Sequence, residues 1–393
     1  MADAHTVIEP AIDVDPGVGR TDLARSLEIY VQLRSGPRTK VANDSHSSGI
    51  PIQHTEMNCM TAVPPNWTNG TPMLTGCEIR SVYTASVTSS VTDYQKENGR
   101  RYHAYHEGRY LLPNDEQESD RLDMHHALIR ATMKEKLFLA PIGKSPGRVY
   151  DICTGTGIWA IEFADMFPSA EVIGNDLSPI QPSLVPPNLK FIIDDAEDEW
   201  GYESVPFDFI HARYLAGGVK NMPRLLGQCY RCTKPGGWVE FQDWDAMVHS
   251  ADGTTKGSSI EHYMNCTIAA FDKAGYVTRP GLFLEKWMRD AGFINIHVER
   301  FIVPLGTWPK DKHYKRVGTI NLMQIEETLE GSALAALTRV ENWKKEEVDI
   351  IVAKTKQDAR NPRIHAQYHL YNVRIWVIWQ WLSTKSVGRL KLS

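Results

Sequence analysis

Residues 148–160 read RVYDICTGTGIWA, and this stretch decides the fold more than any other. Apolar residues on both sides of Asp151 predict a buried strand with a carboxylate at its end. The strand leads directly into a glycine-spaced turn, Gly155-Thr-Gly157, at the start of a predicted helix. Because glycine has no Cβ, such a turn lets a ligand lie close to the backbone at a helix N-terminus. The stretch therefore predicts a nucleotide-like ligand beyond the carboxyl end of a parallel strand.

Strands and helices alternate along the chain after this stretch, a pattern typical of a parallel sheet with helices on both faces. Strands are predicted at 148–152, 171–175, 189–193, 207–211, 238–241, 294–303 and 366–380, and helices at about 157–167, 221–233, 259–275 and 281–291. A largely helical insertion over about 311–358 precedes the last strand. The pattern predicts a doubly wound α/β fold.

The chain before this sheet divides into two parts. Residues 1–85 are rich in turn-forming residues and are expected to be poorly ordered, with one short helix over 23–31. A denser segment follows, in which Asp115 and Glu118 predict the start of a helix with one buried face. His126 lies on that face, where a core histidine is the ordinary interpretation.

Composition and charge limit the partners of this 393-residue chain. The net charge of −5 gives no electrostatic basis for nucleic-acid binding, and no apolar run approaches the ~20 residues of a membrane span. The amino terminus lacks the basic and apolar regions of a secretory signal. We therefore expect a protein that binds neither nucleic acid nor membrane and acts on a small molecule. The expected location is the cytoplasm, and the nucleus is the alternative.

The six cysteines are too few and too scattered for a disulfide scaffold. Cys229 and Cys232 form the one CxxC pair, but no second pair with zinc-ligand spacing lies nearby. Both are expected to be half-buried on a helix, and no metal is expected.

The glycine turn alone does not identify its ligand. Gly155-x-Gly157-x-x-Ala160 also satisfies the dinucleotide fingerprint. Asp151, however, would repel a pyrophosphate and would attract a cation. S-adenosylmethionine carries a sulfonium and an ammonium but no phosphate, so it fits better. The alternative role of Asp151 is to accept hydrogen bonds from neighbouring backbone N–H groups.

Two further strand ends carry acids in register with the turn. Asp176 follows the second strand, where a carboxylate can accept hydrogen bonds from both ribose hydroxyls. Asp194 and Asp195 end the third strand, where one carboxylate could accept from the adenine amino group while backbone N–H near Ala196 donates to the ring. A turn or helix-cap role for Asp176, and a solvated acidic loop at 194–199, are the alternatives. The residues expected to contact the cofactor are Tyr110, Asp151, Cys153, Gly155, Gly157, Asp176, Leu177, Asp194, Asp195 and Ala196.

Methyl transfer needs alignment, and it needs a base when the nucleophile is a hydroxyl. A base is expected in the loops after the fourth and fifth strands or in the amino-terminal cap. The residues that follow these two strands are His211, Arg213, Asp243, Asp245 and His249. We choose His211 as the catalytic candidate because histidine accepts protons near neutral pH. A structural, hydrogen-bonded histidine is the alternative. Aromatic residues of the cap could form a lid over the cofactor, namely Tyr102, His103, Tyr105 and Tyr110.

Residues 90–375 resemble the fungal LaeA-like class I methyltransferases. The resemblance rests on ENGRRYHAYHEGRYLLPNDEQESDRLD, DICTGTGIWAIEFAD, VIGNDLSPIQP, DDAEDEW, KPGGWVE and WPKDKHYKRVG. It implies a mostly parallel seven-stranded sheet whose last two strands form a reversed hairpin. From the organisation of the chain we predict a methyltransferase domain over 86–393, with a cap over 86–145, a cofactor-binding core over 146–250, and substrate-side helices, an insertion and the hairpin over 251–393. Cys153 and Asn175 depart from the family pattern, which has glycine and a small residue there.

Three functions are consistent with this sequence. The first is an S-adenosylmethionine-dependent methyltransferase for an O or N nucleophile of a small molecule in fungal secondary metabolism. The second is a LaeA-like nuclear regulator of secondary metabolism that acts through protein partners. The third is a pseudo-enzyme that retains the cofactor without methylating. The sequence leaves the methyl acceptor and the oligomeric state open.

Overall fold

A seven-stranded sheet forms the centre of the computed structural model, which describes residues 12–13 and 93–377. The strands are β1 (Arg148–Ile152), β2 (Glu171–Asp176), β3 (Leu189–Ile193), β4 (Phe207–Arg213), β5 (Thr233–His249), β6 (Ile296–Pro304) and β7 (Gln367–Trp376). Their order across the sheet is β3-β2-β1-β4-β5-β7-β6. The expected seven-stranded sheet is therefore confirmed, whereas most of the amino-terminal arm, with its expected helix, lies outside the described residues.

The strand order places the first strand beside a change of direction in the sheet. The chain passes from β1 outward to β2 and β3, then returns to lay β4 on the other side of β1. At such a switch point the loops leave in opposite directions, and a crevice opens at the carboxyl ends of the two strands. The last strand, β7, is antiparallel to both β5 and β6, which confirms the reversed hairpin.

Helices cover both faces of the sheet. They are α1 (Glu116–Thr132), α2 (Ile158–Met166), α3 (Met222–Cys232), α4 (Ser259–Lys273), α5 (Leu284–Asp290), α6 (Lys312–Ala335) and α7 (Lys345–Ala359). Val149 of β1 packs with the α2 side, and its neighbour Tyr150 packs with the α3 and α5 side. Because adjacent strand residues point to opposite faces, an unbroken apolar run is buried on both sides. Cys229 and Cys232 are fully buried in α3, more deeply than expected.

The cap helix α1 begins where the sequence predicts. The Asp115 side chain accepts a hydrogen bond from the backbone N–H of Glu118 at 3.0 Å and caps the helix. The insertion forms α6 and α7, joined by a π-helical turn at Ala336–Val340. These helices share a buried apolar cluster with α4 and the cap. Within the part of the chain that the structure describes, no helix has the length and hydrophobicity needed to cross a bilayer.

The fifth strand is longer than the sequence predicts. It runs from Thr233 to His249, through the expected Pro-Gly-Gly turn and well past Phe241. Asp243 and Asp245 favour a loop in the sequence, but here β7 pairs with this part of the strand and both carboxylates are buried. Tertiary pairing outweighs the local polar signal.

A buried carboxylate on this strand attaches the cap to the sheet. Glu240 is fully buried and accepts hydrogen bonds from the backbone N–H groups of Leu139 and Ala140. It also accepts from the side-chain amides of Gln242 at 2.7 Å and Asn372 at 2.6 Å. A carboxylate offers only acceptor sites, so it suits a position surrounded by donors.

We predict that Glu240→Gln destabilises the fold by about 3 kcal/mol, because the new NH₂ group faces donors and one buried acceptor is lost. Urea unfolding followed by circular dichroism measures this change. The matched control is Glu299→Gln, whose carboxylate pairs with Arg374 at the surface and should contribute less than about 1 kcal/mol. Equal midpoints for the two variants would contradict the role given to Glu240.

Candidate active site

A cavity of about 130 Å³ lies at the switch point, between α1, the glycine turn and the carboxyl ends of β1, β2 and β4. Six of the ten residues expected at the cofactor line it: Tyr110, Asp151, Cys153, Gly155, Asp176 and Leu177. His211 lines it as well. The structure therefore brings these seven residues together, and their contact with a cofactor stays a prediction.

The turn has the left-handed backbone conformation that glycine favours. Gly155 has φ 59° and Gly157 has φ 78° at the N-cap of α2. A Cβ at Gly157 would collide with the ring of Phe191, so this glycine shapes the turn without lining the cavity. Cys153 is also left-handed, with φ 52°.

The two departures from the family pattern contact each other. The backbone N–H of Cys153 donates to the side-chain oxygen of Asn175 at 3.1 Å. Asn175 is buried, and its own backbone carbonyl accepts from Thr154 at 2.8 Å. A left-handed conformation costs a residue with a Cβ about 1–2 kcal/mol. The Asn175 side chain offsets part of that cost because it supplies an acceptor for the strained peptide.

Both carboxylate oxygens of Asp176 accept hydrogen bonds from the backbone. One accepts from the N–H of Gly155 in the turn at 2.8 Å, and the other from the N–H of Ser178 at 3.0 Å. Burial, with a smaller contribution from the nearby Asp151 carboxylate, raises the pKa of Asp176 to about 6, although the backbone hydrogen bonds oppose the shift. The group is ionised at neutral pH and retains lone pairs for additional donors.

Asp151 and His211 form a buried pair beneath the cavity. The Nδ1 atom of His211 lies 2.7 Å from Asp151, and Thr154 donates its hydroxyl to the other carboxylate oxygen. The His211 ring stacks on Trp159 at 3.7 Å, almost parallel. Burial lowers the pKa of His211, so the ring is neutral and donates from Nδ1 to Asp151. These contacts orient Asp151, and the catalytic role of His211 stays a prediction.

The acids that end β3 do not reach the cavity. Asp195 pairs with Arg109 of the cap at 3.0 Å and accepts from the backbone N–H of Glu197 at 2.9 Å. Arg109 also pairs with Glu197 at 3.1 Å. Asp194, Asp195 and Ala196 are absent from the cavity wall, so their contact with a cofactor stays a prediction. In this structure Arg109 of the cap is the ion-pair partner of Asp195.

The other acids considered as bases hold the protein together. Asp243 accepts from the backbone N–H groups of Leu215, Ala216 and Trp244, and burial raises its pKa to about 7. Asp245 pairs with Arg279 and His249, and these hydrogen bonds hold the pKa of its carboxyl well below the usual range. Neither lines the cavity.

Helix α1 and the end of β4 contribute wall residues that received little weight from the sequence. His126 is buried, as expected, and its Nδ1 lies 2.9 Å from Arg213. Burial lowers the pKa of Arg213 to about 10, so it stays a cation at neutral pH. His125, the neighbour of His126, and Tyr214 also line the cavity. The adjacent histidines on a helix with a buried face were the one signal in the sequence.

Comparison with known proteins agrees with this geometry. Residues 124–298 match the family model described as a methyltransferase domain. The chain is 43% identical over 283 residues to methyltransferase pytC of Aspergillus terreus, which covers 72% of this chain and 87% of that protein. It is 35% identical over 297 residues to the protein-methionine methyltransferase laeA of Emericella nidulans, covering 74% and 78% of the two chains.

The solved structures that resemble this chain include phosphoethanolamine N-methyltransferase 2 of Haemonchus contortus in complex with S-adenosyl-L-methionine. That chain is 19% identical with a TM-score of 0.39, and the match covers 68% of this chain and 54% of the other. The sequence relatives decide the family, because they exceed 30% identity over most of both chains. The chain belongs to the LaeA-like family of fungal methyltransferases.

Proposed function

We propose that this methyltransferase uses S-adenosylmethionine to methylate an O or N nucleophile of a small molecule in secondary metabolism. The observation that carries the proposal is the position of Asp151 and Asp176 in one cavity beside the glycine turn. Two carboxylates disfavour the pyrophosphate of a dinucleotide and favour a ligand with cationic groups and free hydroxyls. The names of pytC and laeA support the methyl-transfer class and the metabolic context.

The residues of the cavity fit the parts of this cofactor. Asp176 would accept from the ribose hydroxyls, and Asp151 would attract the ammonium group. Arg213 lines the same cavity and would pair with the carboxylate of the cofactor. When bound, the cofactor supplies a methyl group on a sulfonium, and the sulfur becomes a neutral thioether as the methyl group is transferred. The protein then contributes alignment, because the leaving group needs no acid.

A second function is supported by relatives that are named as secondary metabolism regulators, at 33% to 36% identity. Such a regulator would act in the nucleus through protein partners, whereas the enzyme would work in the cytoplasm. Deletion of the gene separates the two proposals. Loss of one product family supports the enzyme, and loss of many unrelated products supports the regulator. A cofactor-retaining pseudo-enzyme is excluded if labelled methyl groups reach any product.

We further propose the domain division given by the sequence: an arm over 1–85, a cap over 86–145, a cofactor core over 146–250 and a substrate-side region over 251–393. The cavity supports this division, because its walls come from the cap and the core.

Asp176→Asn should weaken S-adenosylhomocysteine binding about thirtyfold or more, because a carboxylate acceptor of two hydroxyls is lost. Isothermal titration calorimetry on the full chain measures the affinity. Asp165→Asn, on the exposed face of α2, is the matched control and should bind like the wild type. An unchanged affinity in Asp176→Asn would rule out the ribose contact.

The pH dependence of this binding follows from the raised pKa of Asp176, about 6. Above this value the carboxylate is ionised and accepts hydrogen bonds, and below it protonation removes acceptor capacity. We predict that affinity is constant above neutral pH and falls by up to about tenfold for each pH unit below the pKa. Calorimetry from about pH 8 to about pH 5 tests the sign, and a flat profile would contradict it.

The contact between Arg109 and Asp195 is expected to compete with the adenine amino group. Arg109→Gln should therefore raise affinity for S-adenosylhomocysteine about fivefold, as expected for a partly exposed ion pair. It should also speed hydrogen exchange over 102–111 without ligand. Arg360→Gln, which removes a surface pair with Glu326, is the control. A lower affinity in Arg109→Gln would show that the arginine helps to hold the cofactor instead.

A further inference from the structure

A second cavity lies on the other side of His125 and Tyr214. Its volume is about 140 Å³, and these two residues line both cavities. Tyr214 has φ 58°, a strained conformation for a residue with a bulky side chain. Its ring lies 4.2 Å from the ring of His125. Strain of this kind persists only where the surroundings enforce it, and it is common at ligand sites.

The walls of the second cavity carry no charge. Twenty residues line it, most of them from α4 and α6. No Asp, Glu, Lys or Arg is among them. Burial, with Arg121 and Arg213 nearby, holds the pKa of His125 well below its usual range, so this ring is neutral. The indole N–H of Trp244 donates to its Nε2 at 3.0 Å.

Four hydroxyl-bearing side chains in this lining donate to carbonyls of the protein itself. Thr328 and Ser332 donate their hydroxyls to helix carbonyls four residues earlier, at 2.7 and 2.8 Å. Thr267 does the same in α4 at 2.9 Å. The hydroxyl of Tyr263 donates to the carbonyl of Leu329 at 2.7 Å. These groups therefore present mostly carbon to the cavity, and a charged ligand would lose water without gaining a partner.

We propose that this cavity binds the methyl acceptor, and that the acceptor is an uncharged molecule that inserts an apolar, ring-sized group. The inference rests on the proposed function, because it assigns the cofactor to the adjoining cavity. Apolar cavities of about this volume bind a single aromatic ring. The nucleophile of such an acceptor would lie beside His125 and Tyr214, the two residues that face both cavities.

The test uses two single-ring probes, phenol, which is uncharged at neutral pH, and benzenesulfonate, which is an anion. Each is titrated into the full chain by isothermal titration calorimetry, with and without S-adenosylhomocysteine. We expect one-to-one binding of the phenol and at least about tenfold weaker binding of the sulfonate, because the cavity offers no counter-charge.

Two variants test whether the probe binds in this cavity. Ala246→Phe fills the cavity and should weaken phenol binding about tenfold or more. Ile268→Lys adds a cation to the wall and should reverse the preference toward the sulfonate. The matched control is Ala353→Phe, on the exposed face of α7, which should leave both affinities unchanged. Thermal melting and S-adenosylhomocysteine binding confirm that each variant is folded.

The outcomes separate this inference from the proposed function. Equal affinities for both probes, or phenol binding that survives Ala246→Phe, would overturn the assignment of the cavity. If the wild type does not bind S-adenosylhomocysteine while the probes behave as expected, the proposed function fails and the apolar ligand site stands alone. If the cofactor product binds and the probes do not, the acceptor inference alone fails.

Discussion

The geometry of this protein depends on one buried carboxylate, Glu240. It lies in the middle of the sheet and accepts hydrogen bonds from the backbone at Leu139 and Ala140, where the chain passes from the cap to β1. This contact fixes the exit of the cap segment against β5 and β7. Helix α1 is thereby held over the carboxyl ends of the strands, and its residues His125 and His126 form walls. A cap that was free to shift would leave both cavities without a roof.

The carboxyl ends of β1, β2 and β4 concentrate charge in a small volume. Asp151, Asp176 and Arg213 all line one cavity, and each is held by hydrogen bonds to its neighbours. Burial disfavours the ionised form of Asp176, as its raised pKa shows. Such an arrangement disfavours the folded state, and perturbed carboxylates of this kind cluster at functional sites. The strained Tyr214 fits the same pattern.

Much of this site could be predicted from the sequence, because the signals are local. The glycine turn, Asp151 and Asp176 follow strands whose apolar runs are clear, and parallel strand ends meet at one edge. Contacts between distant segments left no such signal. The ion pair of Arg109 with Glu197, for example, joins residues 88 positions apart. Nothing in the local sequence distinguishes Glu240 from an ordinary strand residue. The walls of the second cavity come from helices, and periodicity alone does not reveal which helices face each other.

The separate origin of the two cavities has a consequence for substitution. The cavity beside the glycine turn is built mainly by the sheet ends and the turn, whereas the second cavity is built mainly by α4 and α6. Substitutions in those helices can therefore reshape the second cavity while the carboxylates of the first stay in place. His125 and Tyr214 are the exceptions, since a change in either is felt in both cavities. The fold thus lets one cavity vary in shape and apolar character independently of the other, apart from this shared two-residue wall.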